Sequence, residues 1–476
     1  MTRNLTLPGN PRYQPTELKP FFGYDNLYRG LAMVEIANLR VLAEISVIPK
    51  SDIELLTPEL EEQVLNITTT EVDEEERAVT HHDVRAWVHC AQRLLPPELG
   101  RWVHVPLTSY DALDTGRIVQ YVAAWREAVR PALREVMGAL VELVREHAET
   151  PQIGRTHGQH ALPITVGFWL SGILNRLLWC DAELERAANG LVGKITGAVG
   201  ASNAIVGLGF EKRAGLRTYE ERVMGHLGLN PAPYSTQILP PEPLAYFLFA
   251  AVETSAVLGQ LGRDCRHLMR SEIRELAEPF KKGQVGSSTM AHKRNPLTFE
   301  GLEAAWEKNR AEFLKVLGVN ISEHQRDLVG SAVMRDFPVI LVNLMTQLNT
   351  MRRPDNDGRP WLARIQFDRE ALQQNFAASA HLVLAEPLYI ALQMYGYRGD
   401  GHRLVSDELT PRSQQSGRSL MAELVAMASS DEDLAAVVKA IPDELRDLLS
   451  RPEAYTGKAA QQAHAVAARA EAALAA

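Results

Sequence analysis

Cysteine is scarce in this chain: three residues in 476, Cys90, Cys180 and Cys265, far apart and without C-x-x-C spacing. That argues against a disulfide scaffold or a thiolate cluster and fits reduced structural thiols in a cytoplasmic protein. The stretch from Met1 to Asn10 has no apolar core of signal-peptide length. No apolar run reaches the roughly 20 residues that span a bilayer, so neither export nor membrane insertion is expected. A nucleotide-binding glycine fingerprint, a fixed-period repeat and a strand-rich segment are missing as well. The 14 histidines show no H-E-x-x-H spacing and no acidic calcium loop appears, so no metal and no cofactor is expected. The balance of charge is acidic, −9 at neutral pH. It argues against coating of nucleic acid, yet leaves room for a local basic pocket that takes a small anion.

Apolar residues make up 46% of the chain and charged residues 23%, enough for a large core divided over two or three domains. Proline and glycine punctuate three regions: an N-terminal helical domain over 1–109, a central long-helix domain over 110–365 and a C-terminal helical domain over 366–476. In the central region Ile118, Val122, Trp125, Val129, Leu133, Val136 and Leu140 recur at steps of three and four, which places them on one helical stripe. Pro131 should kink that helix rather than end it. Long helical patterns follow over Thr165–Arg186, Leu244–Leu276, Pro296–Leu317 and Val339–Met351. Later come Phe367–Met394, broken near Glu386-Pro387, and an alanine-rich tail from Lys458. Helices longer than the mean of about 11–12 residues predict an all-α bundle whose long sides are buried by partners in an oligomer.

The most informative stretch is Gly286-Ser287-Ser288-Thr289-Met290-Ala291-His292-Lys293-Arg294-Asn295-Pro296. Small hydroxyl residues beside glycine let backbone N–H groups point inward. A lysine and an asparagine follow, and proline pre-sets the first turn of the next helix. Such a loop suits an anion cradle carrying a nucleophile or base, and equally a polar hinge. Other polar segments are Gly154-Arg155-Thr156-His157-Gly158-Gln159, Leu107-Thr108-Ser109-Tyr110-Asp111, His81-His82-Asp83-Val84, Gly193 to Gly200, Ser235-Thr236-Gln237-Ile238, and Gln325-Arg326-Asp327-Leu328 with Ser331 and Arg335. Taken singly, a lone histidine is more often a satisfied structural group, Thr108-Ser109 reads as a helix cap, and each arginine reads as a surface ion-pair partner.

Taken together they resemble the fumarase/aspartase superfamily. Ten of eleven positions of the long stretch fit its G-S-S-x-M-P-x-K-x-N-P signature, Ala291 standing for proline. The T-H-G-Q, T-S-x-D, H-D-V, G-K-I-x-G-A-V-G, T-Q and R-D-x-x-x-S-x-x-x-R segments, with Arg12-Tyr13 near the start, are similar to the adenylosuccinate lyase branch and follow its order from Arg12 to about Tyr397. The resemblance implies a fumarase/aspartase-like bundle of three domains, assembled as a homotetramer around a helical core, with each active site drawn from three chains. It implies β-elimination of fumarate from a small N-succinyl substrate: adenylosuccinate to AMP, and the matching imidazole-carboxamide ribotide in purine biosynthesis.

By the same resemblance Ser287 is the catalytic base and His157 the general acid toward the departing nitrogen. Lys293 stabilises the anion and Asn295 grips a carboxylate. Thr108 and Ser109 hold the succinyl carboxylates, and His82 orients the leaving group. Thr156 and Gln237 contact substrate, while Arg12, Tyr13, Ser331 and Arg335 hold the nucleotide phosphate, with Arg326 on the ribose or carboxylate side. The Gly283–Met290 loop is expected to close as a lid. Departures are Phe168, Val105-Pro106, Val329-Gly330 and the run Pro240-Pro241-Glu242-Pro243. They bear on which substrate is used and leave open a paralogous lyase acting on another N-succinyl compound. A non-catalytic structural homologue is the remote alternative, opposed by the joint retention of Ser287, His157, Lys293 and Asn295.

Overall fold

The computed structural model describes residues 3–280, 289–290 and 292–476. It is 65% helical, an all-α fold as the sequence predicts. Twelve of the helices, in chain order, are α1 (Arg29–Glu44), α2 (Asp83–Leu94), α3 (Ser109–Ala124), α4 (Arg130–Glu146), α5 (Val166–Asn189), α6 (Tyr219–Leu227), α7 (Glu242–Leu268), α8 (Leu297–Gly318), α9 (Pro338–Arg352), α10 (Arg369–Ala380), α11 (Ala385–Met394) and α12 (Ala459–Ala475). The short strands are β1 (Pro151–Thr156) with β2 (Gln159–Thr165), β3 (Val192–Gly193) with β4 (Asn230–Pro231), and β5 (Leu276–Ala277) with β6 (Gln366–Phe367). Contacts group the chain into two compact units. One comprises residues 1–134, 179–259 and 301–350; the other comprises 135–178, 260–300 and 351–476.

The sequence stripe on α3 and α4 is buried throughout, from Ile118 at 4% exposure to Leu140 at 0%. Each such side chain contributes about 1.5–3 kcal/mol by leaving water. The expected kink takes the form of a π-turn over Trp125–Val129. Pro131 has no N–H to donate to the carbonyl four residues back, so the ladder slips just before it. In the first unit that turn is tied to α5: Trp125 Nε1 donates to Glu185 at 2.8 Å, and Arg130 reaches Glu185 at 3.0 Å and Asp181 at 3.2 Å.

The break between α10 and α11 falls at residues 381–384, with a bend of 43°. Pro387 lies in the first turn of α11, where its missing N–H costs nothing. Among the described residues two stretches, Glu242–Leu268 and Val329–Arg352, are long and apolar enough to cross a membrane by length and composition, and α10 with α11 would make a third if the bent pair were one span. This corrects the expectation that no stretch qualifies. The apolar residues are broken up by isolated polar ones such as Glu253 and Asn343, which hides the run. In α7, 72% of that window is buried within the protein, as in a core helix.

Within the first unit a core cluster joins α1, α2 and α6, including Leu31, Leu42, Trp87 and Val223. Helix α1 crosses α3 with its backbone almost touching. A Cβ built on Gly116 would lie 2.5 Å from the carbonyl carbon of Gly30, and one on Gly30 would lie 2.2 Å from the Gly116 oxygen. Hydrogen at these two positions is what permits the crossing. Within the second unit a separate cluster gathers Leu388, Leu392, Leu409, Leu424 and Ile441. Cys90, Cys180 and Cys265 are buried and form no disulfide.

Gly116→Ala should destabilise the protein by about 1–3 kcal/mol through overpacking, read as a lower urea midpoint. An unchanged midpoint would mean that the crossing relaxes freely.

Candidate active site

In the first unit, α3 begins at the T-S-x-D segment. Thr108 stands at its N-cap, and Asp111 accepts from Thr108 N at 2.9 Å. Thr108 and Ser109 are half-buried at this helix start, where free N–H groups favour a carboxylate. The approach to it is pinned. His104 contacts Glu35 through Nδ1 at 2.6 Å and donates N–H to it at 2.9 Å, and Asn38 donates to Val105 O at 2.8 Å. Tyr219 donates to Asn38 in turn at 2.5 Å.

Three of the expected substrate-binding residues meet around Tyr110. The Arg326 guanidinium lies 3.5 Å from the centre of the Tyr110 ring. It donates to Gln237 Oε1 at 2.7 Å and to Ser331 Oγ at 3.1 Å, while the Tyr110 hydroxyl donates to Ser331. Tyr110 and Ser331 also line a cavity walled by Leu239, Pro240, Pro241 and Pro243. Asp114, buried on the same wall, pairs with Arg117 at 3.3 Å, and burial pushes its carboxyl above the usual carboxylate range.

His82 and Arg335 come together through a residue assigned no role, Asp83. His82 Nδ1 lies 3.3 Å from one Asp83 oxygen and Arg335 lies 3.9 Å from the other. His82 also caps α2, accepting from Arg85 N at 3.4 Å. Arg12 and Tyr13 are exposed, and the Arg12 guanidinium sits 4.6 Å above the Tyr13 ring. Among the described residues that pair makes no hydrogen bond or ion pair with Arg326 or Arg335.

In the second unit the T-H-G-Q segment forms a β-hairpin, an element the sequence reading did not foresee. Thr156 pairs with Gln159 across a two-residue turn of His157 and Gly158, with φ of 54° and 75°. Positive φ at both central positions is the type I′ geometry that suits a two-residue hairpin. Thr156 and His157 are therefore presented at an exposed tip. The base is anchored by Glu275, 1% exposed, which accepts from Arg155 at 2.5 Å, Gln152 at 2.7 Å and Asn375 at 3.0 Å. His160, on the returning strand, contacts Ser379 at 2.6 Å. Partial burial, with Arg155 beside it, holds His160 below the ordinary histidine value.

Lys293 and Asn295 border an open cleft with Arg266, Arg270, Arg274 and Asp368. Just beyond, Glu278 caps α8 by accepting from Thr298 N at 2.8 Å and Phe299 N at 2.9 Å. Burial raises its pKa despite those bonds. Ser287, the expected base, Ala291 and most of the expected lid lie outside the described residues. Among the described residues no group of three or more His, Cys, Asp or Glu side chains is placed to hold a metal ion.

Tyr110, Asp111, Lys194, Asp83 and Glu275 organise these groups, and the sequence reading gave them no part. Four of them stood in view: Tyr110 and Asp111 in the T-S-x-D segment, Lys194 in the G-K-I segment and Asp83 in the H-D-V segment.

A lyase family model matches residues 37–307, more than half of the chain. The adenylosuccinate lyases of Pyrococcus horikoshii and Pyrococcus abyssi are 32% and 31% identical, each alignment covering 95% of this chain and 95% of the relative. Among solved structures, the 3-carboxy-cis,cis-muconate lactonizing enzyme of Pseudomonas putida superposes with a TM-score of 0.78 at 24% identity, over 98% of either chain; it shows the shared fold. The chain belongs to this lyase family of the fumarase/aspartase superfamily, in its adenylosuccinate lyase branch.

Burial alone would lower the pKa of His104, but the Glu35 carboxylate and its hydrogen bond outweigh it, so the value lies above the ordinary 6.5. Protonated His104 therefore stabilises the fold fully below pH 6.5 and loses that contribution as pH rises through the folded-state value. The urea midpoint should fall over that window in the wild type and fall less in His104→Asn. Parallel profiles would count against the pairing.

Proposed function

We propose that this chain catalyses β-elimination of fumarate from adenylosuccinate, giving AMP, and from the corresponding imidazole-carboxamide ribotide, as a cytoplasmic homotetramer of purine biosynthesis. The observation that carries the reading is full-length similarity to adenylosuccinate lyases. The gathering of Gln237, Arg326 and Ser331 about Tyr110 supports it further. A guanidinium fork beside a hydroxyl and an amide suits the polar end of a nucleotide.

The reaction removes a proton from the carbon beside a carboxylate, places a second negative charge on that carboxylate, and then breaks the carbon–nitrogen bond. Ser287 takes the proton, and Lys293 and Asn295 stabilise the charge that develops. One such prearranged donor is worth about 2.7–4 kcal/mol. His157 gives a proton to the departing nitrogen, a step worth about 10²–10⁴-fold in rate. Thr108 and Ser109 hold the succinyl carboxylates at the start of α3, and Thr156 lies beside His157 against the substrate. His82 orients the leaving group, and Arg12, Tyr13 and Arg335 join Ser331 on the phosphate. Placement of His157 on a hairpin tip supports its part, because an exposed apex can reach a site completed by neighbouring subunits.

The test is a panel of N-succinyl compounds read by fumarate release, with adenylosuccinate followed by absorbance loss and AMP formation. Turnover of adenylosuccinate is expected. Ser287→Ala should remain folded and bind substrate with little turnover, and His157→Gln should lose about 10²–10⁴-fold in kcat. Fumarate release from a different compound with adenylosuccinate inert would overturn the substrate, and full activity of Ser287→Ala would remove its assigned role.

A further inference from the structure

We infer that Asp111, neutralised by Lys194, is a positioning residue that sets the spacing between the carboxylate-binding start of α3 and the Gln237–Arg326–Ser331 group. This rests on the function proposed above. Both side chains are fully buried, 0% exposed, and in contact at 2.5 Å. A buried ion pair is weak evidence of stability, because desolvation offsets most of the attraction. Its value here is geometric. Besides Lys194, the Asp111 carboxylate accepts from Thr108 N at 2.9 Å, Thr196 N at 3.0 Å and Gly197 N at 3.2 Å. One carboxylate thus fastens the start of α3 to the segment over 194–197. Thr115 clamps the same segment, exchanging two 2.9 Å bonds with the Lys194 backbone.

From there the contacts continue until they return to α3. Thr196 Oγ1 meets Ser235 Oγ at 2.7 Å, and Gln237 donates to Ala198 O at 2.7 Å. The two segments are pressed together at Gly200, where an added Cβ would lie 2.4 Å from Ser235 O. Gln237 then accepts from Arg326, Arg326 donates to Ser331, and Ser331 accepts from Tyr110, the residue next to Asp111. Every junction of this closed circuit is polar and directional. A change at Asp111 therefore displaces Thr108 and Ser109 on one side and Gln237 on the other. Misplacement on the scale of 1 Å costs on the order of a hundredfold in rate when groups must align on one substrate.

Asp111→Asn alone strands the Lys194 ammonium and can fail to fold, so the informative protein is Asp111→Asn/Lys194→Met, which removes both charges at nearly constant volume. We expect circular dichroism and a cooperative melt like those of the wild type, with KM for adenylosuccinate raised at least tenfold. A purely structural defect would lower the fraction of active enzyme and hence kcat while KM stayed the same. Fumarate binding by calorimetry gives a second readout. If the wild type does not cleave adenylosuccinate, the proposed substrate fails, while at least tenfold weaker fumarate binding by the double variant still supports the positioning role. Unchanged KM and fumarate affinity, no fumarate binding by the wild type, or a double variant that does not fold each overturns the inference.

Discussion

The first unit depends on one close approach: the backbones of α1 and α3 meet at Gly30 and Gly116 with no room for a side chain on either. Helices normally pack about 8–10 Å apart, at a distance set by the side chains between them. Removing both side chains lets α3 sink onto α1, and this fixes where α3 begins. Glu35 and Asn38, further along α1, then reach the chain that leads into α3, through His104 and Val105. The polar start of α3 is thus held from two directions, by α1 behind it and by the 194–197 segment beside it.

The long helices were legible because their apolar residues keep a helical period over many turns. The stripe from Ile118 to Leu140 is buried as read, and the boundaries of α5, α8, α9 and α12 fall within about three residues of the sequence limits. The helix expected over Leu244–Leu276 ends at Leu268, and Leu276 stands in β5; at two other places local chemistry explains the shift. Pro131 shifts the ladder into a π-turn rather than a simple kink, and Pro387 tolerates a helix start close before it. The hairpin at 151–165 was not legible. His-Gly is not among the strong hairpin dipeptides, and the register shift between Ile153 and Arg155 breaks the alternation that marks strands.

The candidate site was legible as a set of segments and not as a network. Motif resemblance picked out Gln237, Arg326 and Ser331, which do meet, while the ring that joins them belongs to Tyr110, at a position any residue could fill in the T-S-x-D pattern. The pairings of Asp83 and Glu275 were hidden for a related reason. Each acts through partners distant in sequence, Asp83 with Arg335 and Glu275 with Arg155, Gln152 and Asn375. Pairings of that kind leave no local pattern. Fold alone would not have separated the chemistries either, since a lactonizing enzyme shares this architecture and function resides in the site built on it.

The hairpin has a consequence for how reach can evolve. An imidazole at the apex of a two-residue turn is located by covalent geometry and strand pairing, with little packing to adjust. Extending both arms by one residue would advance it by about 3.3 Å and turn it to the opposite face, and a further residue would turn it back. The position of His157 can therefore change only in coarse jumps of alternating direction, so fine correction of its aim falls to Arg155, Gln152 and Glu275 at the root of the arms.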